Sequence, residues 1–297
     1  MQKLALPLRC TNELIHSNNI AMIKLKDLEF SYSRKQTLFE GIDLSMKAGN
    51  IYGLLGKNGV GKTTMLNLMC GLIFPKSGEC SVMGYQPMER KVGFLANLFL
   101  VPDEINLPAM KLKDFIRVNR PFYPNFNEEL LQQCLTEFEV SENENLARMS
   151  HGQKKKAYIS FALACQTRLL LMDEPTNGLD IPSKSTFRKL MASVATEDRC
   201  IVISTHQVRD LDNLIDAVVV MDNSRVLLQG TMDEITDKLT FKALEKEEQP
   251  LYEESGMKGR WGVVENTTGE YSKVDMELLF NAVISNKEEI KRIFGQN

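Results

Sequence analysis

Nine consecutive residues, Gly56-Lys57-Asn58-Gly59-Val60-Gly61-Lys62-Thr63-Thr64, match the pattern G-x-x-x-x-G-K-[ST]. The chemistry open to such a stretch is the binding of a phosphate chain. Its glycines permit a tight loop in which the backbone N–H groups of Asn58, Gly59, Val60, Gly61 and Thr64 turn toward one anion. Lys62 supplies a point charge for the outer phosphates, and the Thr63 hydroxyl is placed to hold a magnesium ion. A helix predicted over residues 63–70 directs its positive end at the same anion. The competing interpretation is an ordinary glycine-rich turn. Against it stands the apolar stretch 50–55 just upstream, which reads as a buried strand and completes a strand–loop–helix unit.

A second chemical feature is the run Leu169-Leu170-Leu171-Met172-Asp173-Glu174, an apolar strand ending in two carboxylates. Acidic residues after a buried strand are common turn formers. Joined to a phosphate loop, they suit metal and water chemistry: Asp173 reaches the magnesium shell, and Glu174 orients and deprotonates a water. This strand is expected beside the strand of the phosphate loop. A third feature is Met149-Ser150-His151-Gly152-Gln153, where Ser150 is a natural N-cap and the helix start it opens is a further anion site. The following Lys154-Lys155-Lys156 reads as a solvated helix face rather than a nucleic-acid patch.

The elements that must position these residues follow from the hydrophobic pattern. From Met22 a near-alternating strand carries Ile23, Leu25, Leu28 and Phe30, and a second strand is expected over 38–44. A short strand is expected over 80–84 and a longer one over 91–100. Prolines at 102, 108, 121 and 124 then mark a change to helical patterns over 110–120, 127–140 and 150–165. Further strands at 169–172, 200–204 and 217–221 alternate with helices at 183–195 and 208–215, which indicates a mostly parallel sheet. From about residue 240 the composition shifts. A charged linker over 245–250 precedes a hairpin expected over 260–271, with Trp261 and Tyr271 on its strands, and one amphipathic helix over 275–294.

Composition bounds the class. The 297 residues are 43% hydrophobic and 25% charged, a globular balance large enough for one major domain and an appendage. A net charge of −3 gives no overall field that would gather nucleic acid. There is no run of 18 apolar residues to span a membrane. The six cysteines (Cys10, Cys70, Cys80, Cys134, Cys165 and Cys200) contain no C-x-x-C pair and read as reduced thiols of a cytosolic protein. Residues 1–21 fit nothing that follows and are expected to be a disordered extension, or to precede a natural start at Met22.

Taken together, these residues resemble the ATP-binding-cassette (ABC) family over roughly residues 22–235. The stretch 56–64 resembles its phosphate loop, Met149 to Gln153 its signature, and Asp173-Glu174 its magnesium aspartate and catalytic glutamate. Asn177-Gly178-Leu179-Asp180 looks like the loop that communicates across the family's dimer, and Ser204-Thr205-His206 like its switch histidine. Tyr32 falls where the family stacks an aromatic ring on adenine. The resemblance implies an α/β fold: a P-loop core with a mostly parallel sheet, an antiparallel β subdomain and a helical insertion, plus a small C-terminal α+β appendage. The domain boundaries expected are 1–21, 22–239 (helical subdomain about 103–165) and 240–297.

Two departures from the family pattern stand out. His151 replaces the first signature glycine, while Ser150, Gly152 and Gln153 remain. Val101-Pro102-Asp103-Glu104 occupies the place of a stretch in which the family carries a glutamine, so Asp103 or Glu104 takes that position. The resemblance implies ATP hydrolysis with Mg²⁺ held by Thr63 and Asp173, Glu174 as base, His206 as positioner and Lys62 as charge stabiliser. It implies a head-to-tail homodimer, or a pair with a related cassette, in which Ser150, Gly152, Gln153 and Asp180 complete the site of the opposite subunit. The expected partner is an integral membrane permease on a separate chain, of bacterial export type, with this protein peripheral on the inner face of the cell membrane. The alternative is a soluble cassette ATPase acting on ribosomes or nucleic acid.

Overall fold

The computed structural model describes residues 21–33, 37–211, 213–256 and 259–295. Of the extension expected over 1–21, residues 1–20, with Cys10 and His16, lie outside the described residues, as do residues 34–36, whereas Ala21 already belongs to the first strand.

Strand β1 (Ala21–Phe30) buries Ile23, Leu25, Leu28 and Phe30 and pairs antiparallel with β2 (Phe39–Lys47), Leu25 opposite Leu44 and Leu28 opposite Ile42. Strand β3 (Asn50–Leu55) is buried almost throughout and runs through the glycine-rich loop into helix α1 (Lys62–Met69). Strand β4 (Ser77–Val82) returns to the free edge of β1, closing a sheet of order β2-β1-β4. Residues 91–100 do not form one strand. They divide into a short helix α2 (Val92–Leu95) and strand β5 (Leu98–Val101). Gly93 and Asn97 punctuate the run, the Asn97 amide donating to the Gly93 carbonyl (2.9 Å), so only the last four residues join the sheet.

The helical insertion holds α3 (Leu112–Asn119), α4 (Glu128–Glu137) and α5 (His151–Ala164). Asn127 caps α4 by accepting from the Leu130 N–H. Phe161 of α5 meets Phe99 of β5 and Phe115 of α3 edge-on, with ring centroids 5.8 and 5.3 Å apart, which fixes α5 against the sheet. The chain then lays down β6 (Leu169–Asp173), α6 (Ile181–Val194), β7 (Cys200–Thr205), β8 (Ala217–Asp222), β9 (Arg225–Thr231) and α7 (Met232–Lys238). The helix expected over 208–215 is only a single 3-10 turn, Val208–Leu211.

The central sheet has the order β5-β6-β7-β3-β8-β9, parallel except for β9. β6 therefore does not lie beside β3. Strand β7, every residue of it buried, is inserted between them and pairs Ile203 with Met172 on one edge and with Gly53 on the other. Apolar runs buried on both faces suit any interior place in a parallel sheet, so hydrophobicity alone does not order them. Leu170, Met172, Ile201, Ile203 and Val218 enter one core, while Leu169, Leu171, Val202 and Val219 enter the other.

The C-terminal segment begins with β10 (Leu239–Ala243), followed by β11 (Tyr252–Gly256) and β12 (Gly259–Glu265), in the order β10-β12-β11. Residues 245–250 thus join two strands of one sheet instead of linking domains. The hairpin expected over 260–271 is also corrected: β12 is a single central strand carrying Trp261, and Tyr271 lies on no strand. The last helix breaks at Asn286 (φ −130°, ψ 55°) into α8 (Met276–Ser285) and α9 (Lys287–Phe294). Leu279, Ala282, Val283 and Ile290 share one core with Val220, Leu228 and Ile235, so this segment is fused to the sheet edge through apolar packing.

Candidate active site

Strand β3 delivers the chain into its turn at Gly56. A Cβ there would lie 2.7 Å from Val60 Cγ1 and 2.9 Å from the Met221 carbonyl, so only glycine fits. Gly61 precedes α1 at φ 108°, a conformation that L side chains rarely adopt, with the Phe39 ring 2.7 Å from where a Cβ would stand. The loop is thus wedged between β2 and β8. Lys62 is buried, and its ammonium donates to the Gly56 carbonyl at 2.7 Å and to the Lys57 carbonyl at 3.3 Å. Tyr32 shares a hydrogen bond of 2.9 Å between its hydroxyl and Thr64 Oγ1, and its ring stands edge-on to Phe30 (centroids 4.8 Å apart). The ring remains 68% exposed, leaving a flat apolar face beside the loop.

The two carboxylates at the end of β6 have different surroundings. Asp173 accepts from Thr63 Oγ1 at 2.6 Å and from the hydroxyl of buried Ser204, its register partner on β7. The Glu174 backbone turns to φ 44°, a strained value for a side-chain-bearing residue. Its N–H is held by the Ser204 carbonyl (3.1 Å) and hydroxyl (3.2 Å). This turn brings Oε1 to 2.8 Å from His206 Nδ1 and 3.5 Å from Lys62 Nζ. Oε2 is buried with no hydrogen-bond partner among the described residues. A buried carboxylate oxygen left without a donor is costly, and a water or ligand group bound in the cleft beside it would offset that cost.

Tyr32, Asn58, Gly59, Gly61, Lys62, Thr63, Thr64, Asp173, Glu174 and His206 line one cleft of about 490 Å³. Asp103 lines it too, while Val60 is tucked beneath the loop. The solvated face expected at residues 154–156 is corrected at its centre. Lys155 is fully buried, donating to the Glu174 carbonyl at 2.8 Å and to Asp103 Oδ1 at 3.2 Å. Burial pulls its ammonium below the ordinary lysine range, and the bond to Asp103 works in the opposite direction.

Ser150, Gly152, Gln153 and Asp180 are not part of this cleft. Ser150 and Gln153 close a capping box on α5: the Ser150 hydroxyl accepts from the Gln153 N–H (3.2 Å), and the Gln153 side chain accepts from the Ser150 N–H (2.9 Å). Asp180 caps α6 by accepting from the Ser183 N–H at 2.8 Å, and the Ser183 side chain together with that N–H holds its carboxyl below the usual range. These two helix starts meet each other, since a Cβ on Gly152 would lie 2.9 Å from the Gly178 carbonyl. Ser204 and Lys155 are the residues that sequence reasoning left without a role. Ser204 was findable only through the register of β6 on β7.

A phosphate loop opening a helix, an aspartate on its threonine, and a histidine-backed glutamate together define a P-loop nucleoside triphosphatase. The model of the ABC transporter family matches residues 39–177. The chain is 30% identical over 228 residues to the putative ABC transporter ATP-binding protein CPE0195 of Clostridium perfringens, covering 72% of this chain and 79% of that one. It is 27% identical over 219 residues to the ABC transporter ATP-binding protein YtrB of Bacillus subtilis, covering 73% and 74%. A solved ATP-binding subunit of an ABC transporter superimposes with a TM-score of 0.66 at 26% identity, over 72% of this chain and 91% of that one. The chain belongs to the ATP-binding subunits of the ABC transporter family, and it is an ATPase.

Proposed function

We propose that this subunit hydrolyses MgATP at the cleft just described and drives a membrane permease carried on a separate chain, in the direction of export. The observation that carries the catalytic part is the buried, unpartnered Glu174 Oε2, set beside Asp173 and backed by His206. In this reading Glu174 takes a proton from the attacking water, and His206 Nδ1 orients its carboxylate. Lys62 and the loop N–H groups offset charge on the outer phosphates, and Tyr32 offers its exposed ring to the base. Thr63 and Asp173 present adjacent hard oxygens, a donor set that suits Mg²⁺, which takes few protein ligands and completes its shell with phosphate and water. The metal would supply neutralisation of phosphate charge. Among the described residues no group of three or more His, Cys, Asp or Glu could hold a metal ion by itself.

The position of Ser150, Gly152, Gln153 and Asp180 outside the cleft supports a two-chain site. Two copies, or this chain and a related cassette, would close head to tail over two ATP molecules. Among the described residues no helix is long and apolar enough to cross a membrane. Attachment to the inner face of the cell membrane would come through the permease. The export direction rests on the resemblance of a cassette with an appended C-terminal segment to export-type ATPases. We expect Glu174→Gln to lower kcat about 10²–10⁴-fold and to accumulate an ATP-bound dimer visible by light scattering. Undiminished turnover in that variant would remove the assignment.

A further inference from the structure

We propose that Lys155 is a positioning residue of the hydrolytic site, an internal cation that joins helix α5 to the Glu174 backbone and to the Asp103 carboxylate. This rests on the ATPase reading of the cleft. Lys155 has no exposed surface, whereas Lys154 and Lys156 on either side are only partly buried. Its Nζ has two partners, the Glu174 carbonyl at 2.8 Å and Asp103 Oδ1 at 3.2 Å. The three groups come from three different elements: the first turns of α5, the end of β6, and the loop after β5.

Two consequences follow from charge and geometry. Asp103 faces the cleft together with Asp173 and Glu174. Without a cation beside it, Asp103 would add a third negative charge to a site built for phosphate. Lys155 neutralises that charge from behind, and Asp103 in turn makes the buried ammonium tolerable. The bond to the Glu174 carbonyl acts on the residue whose backbone stands at φ 44°, so Lys155 helps to hold the turn that aims Oε1 at His206. Lys155 lies one turn inside the helix that Ser150 caps.

A double-mutant cycle in the full-length protein tests this, with ATPase kinetics of wild type, Lys155→Met, Asp103→Ala and the double variant. We expect each single change to lower kcat at least 10-fold with KM for ATP within 3-fold. The double variant is expected to be no slower than Lys155→Met, because Asp103 matters through its pairing with Lys155. Should Lys155→Met not fold, Lys155→Gln replaces it in the cycle, since it keeps a donor for the Glu174 carbonyl. Independent effects that multiply in the double variant would overturn the inference, as would unchanged kcat in the single variants. Those results alongside a Glu174→Gln variant that has lost turnover would overturn the inference alone. Full turnover by Glu174→Gln would instead strike the ATPase reading on which it rests.

Discussion

Replacing Ser204 by Ala probes the arrangement at its least exposed point. The hydroxyl donates to Asp173 Oδ1 and also accepts from the Glu174 N–H. The two losses are unequal. The Glu174 N–H keeps the Ser204 carbonyl at 3.1 Å, so no donor is orphaned there. Asp173 Oδ1 loses a charge-assisted bond in a buried setting, which costs about 1.5–3 kcal/mol. Only one oxygen atom is removed, so the cavity contribution is small beside that figure. With a urea slope of about 3 kcal/mol/M, near the top of the range for small proteins, the midpoint should fall by roughly 0.5–1 M. Urea titration followed by far-UV circular dichroism reads this directly. Ser193→Ala serves as control, because its hydroxyl bonds the Leu190 carbonyl of its own helix, away from the carboxylates. A Ser204→Ala midpoint equal to that of the control would refute the claim that Ser204 braces the carboxylate pair.

Other perturbations bear on different parts of the molecule. Gly61→Ala places a side chain at φ 108° against the Phe39 ring, and should cost about 1–3 kcal/mol in backbone strain; equilibrium dialysis is expected to show ATP affinity at least 10-fold weaker. Burial pushes the thiols of Cys70 and Cys80 up to about 11 and about 12, from an ordinary value of 9.0. The folded protein then holds protons that the unfolded chain releases, so stability is full below pH 9 and declines as pH rises toward 11, a trend that urea titrations at pH 8, 9 and 10 would show. Arg209→Ala breaks a surface ion pair with Glu277 at the base of α8. Because both side chains are well exposed, the loss should stay below about 1 kcal/mol and vanish in 0.5 M salt.

The glycine-rich loop was legible as the bend of a strand–loop–helix unit, because an apolar strand, spaced glycines and a helical pattern follow one another there, and β3 runs through it into α1. The same holds for Asp173 and Glu174, whose carboxylates end an apolar strand. Ser150 was legible as a helix cap and serves as one here, and Asp180 caps a helix as well. Local rules failed where punctuation broke a long apolar pattern. Gly93 and Asn97 split the stretch 91–100, and Asn286 split the last helix.

The sequence alone determined which side chains could bind phosphate and move a proton, since those properties belong to residue type and local spacing. It also determined that a mostly parallel sheet would carry them. Tertiary structure decided the insertion of β7 between β6 and β3, because strands apolar on both faces are interchangeable to any local rule. It decided that Ser204 would sit opposite Asp173, a matter of register between strands distant in sequence. It decided as well that the middle of three consecutive lysines would be buried while its neighbours reach solvent. A lysine codes for a charge wherever it stands. Only the packing of α5 against the ends of β5 and β6 gives that charge two partners and a place beneath the glutamate.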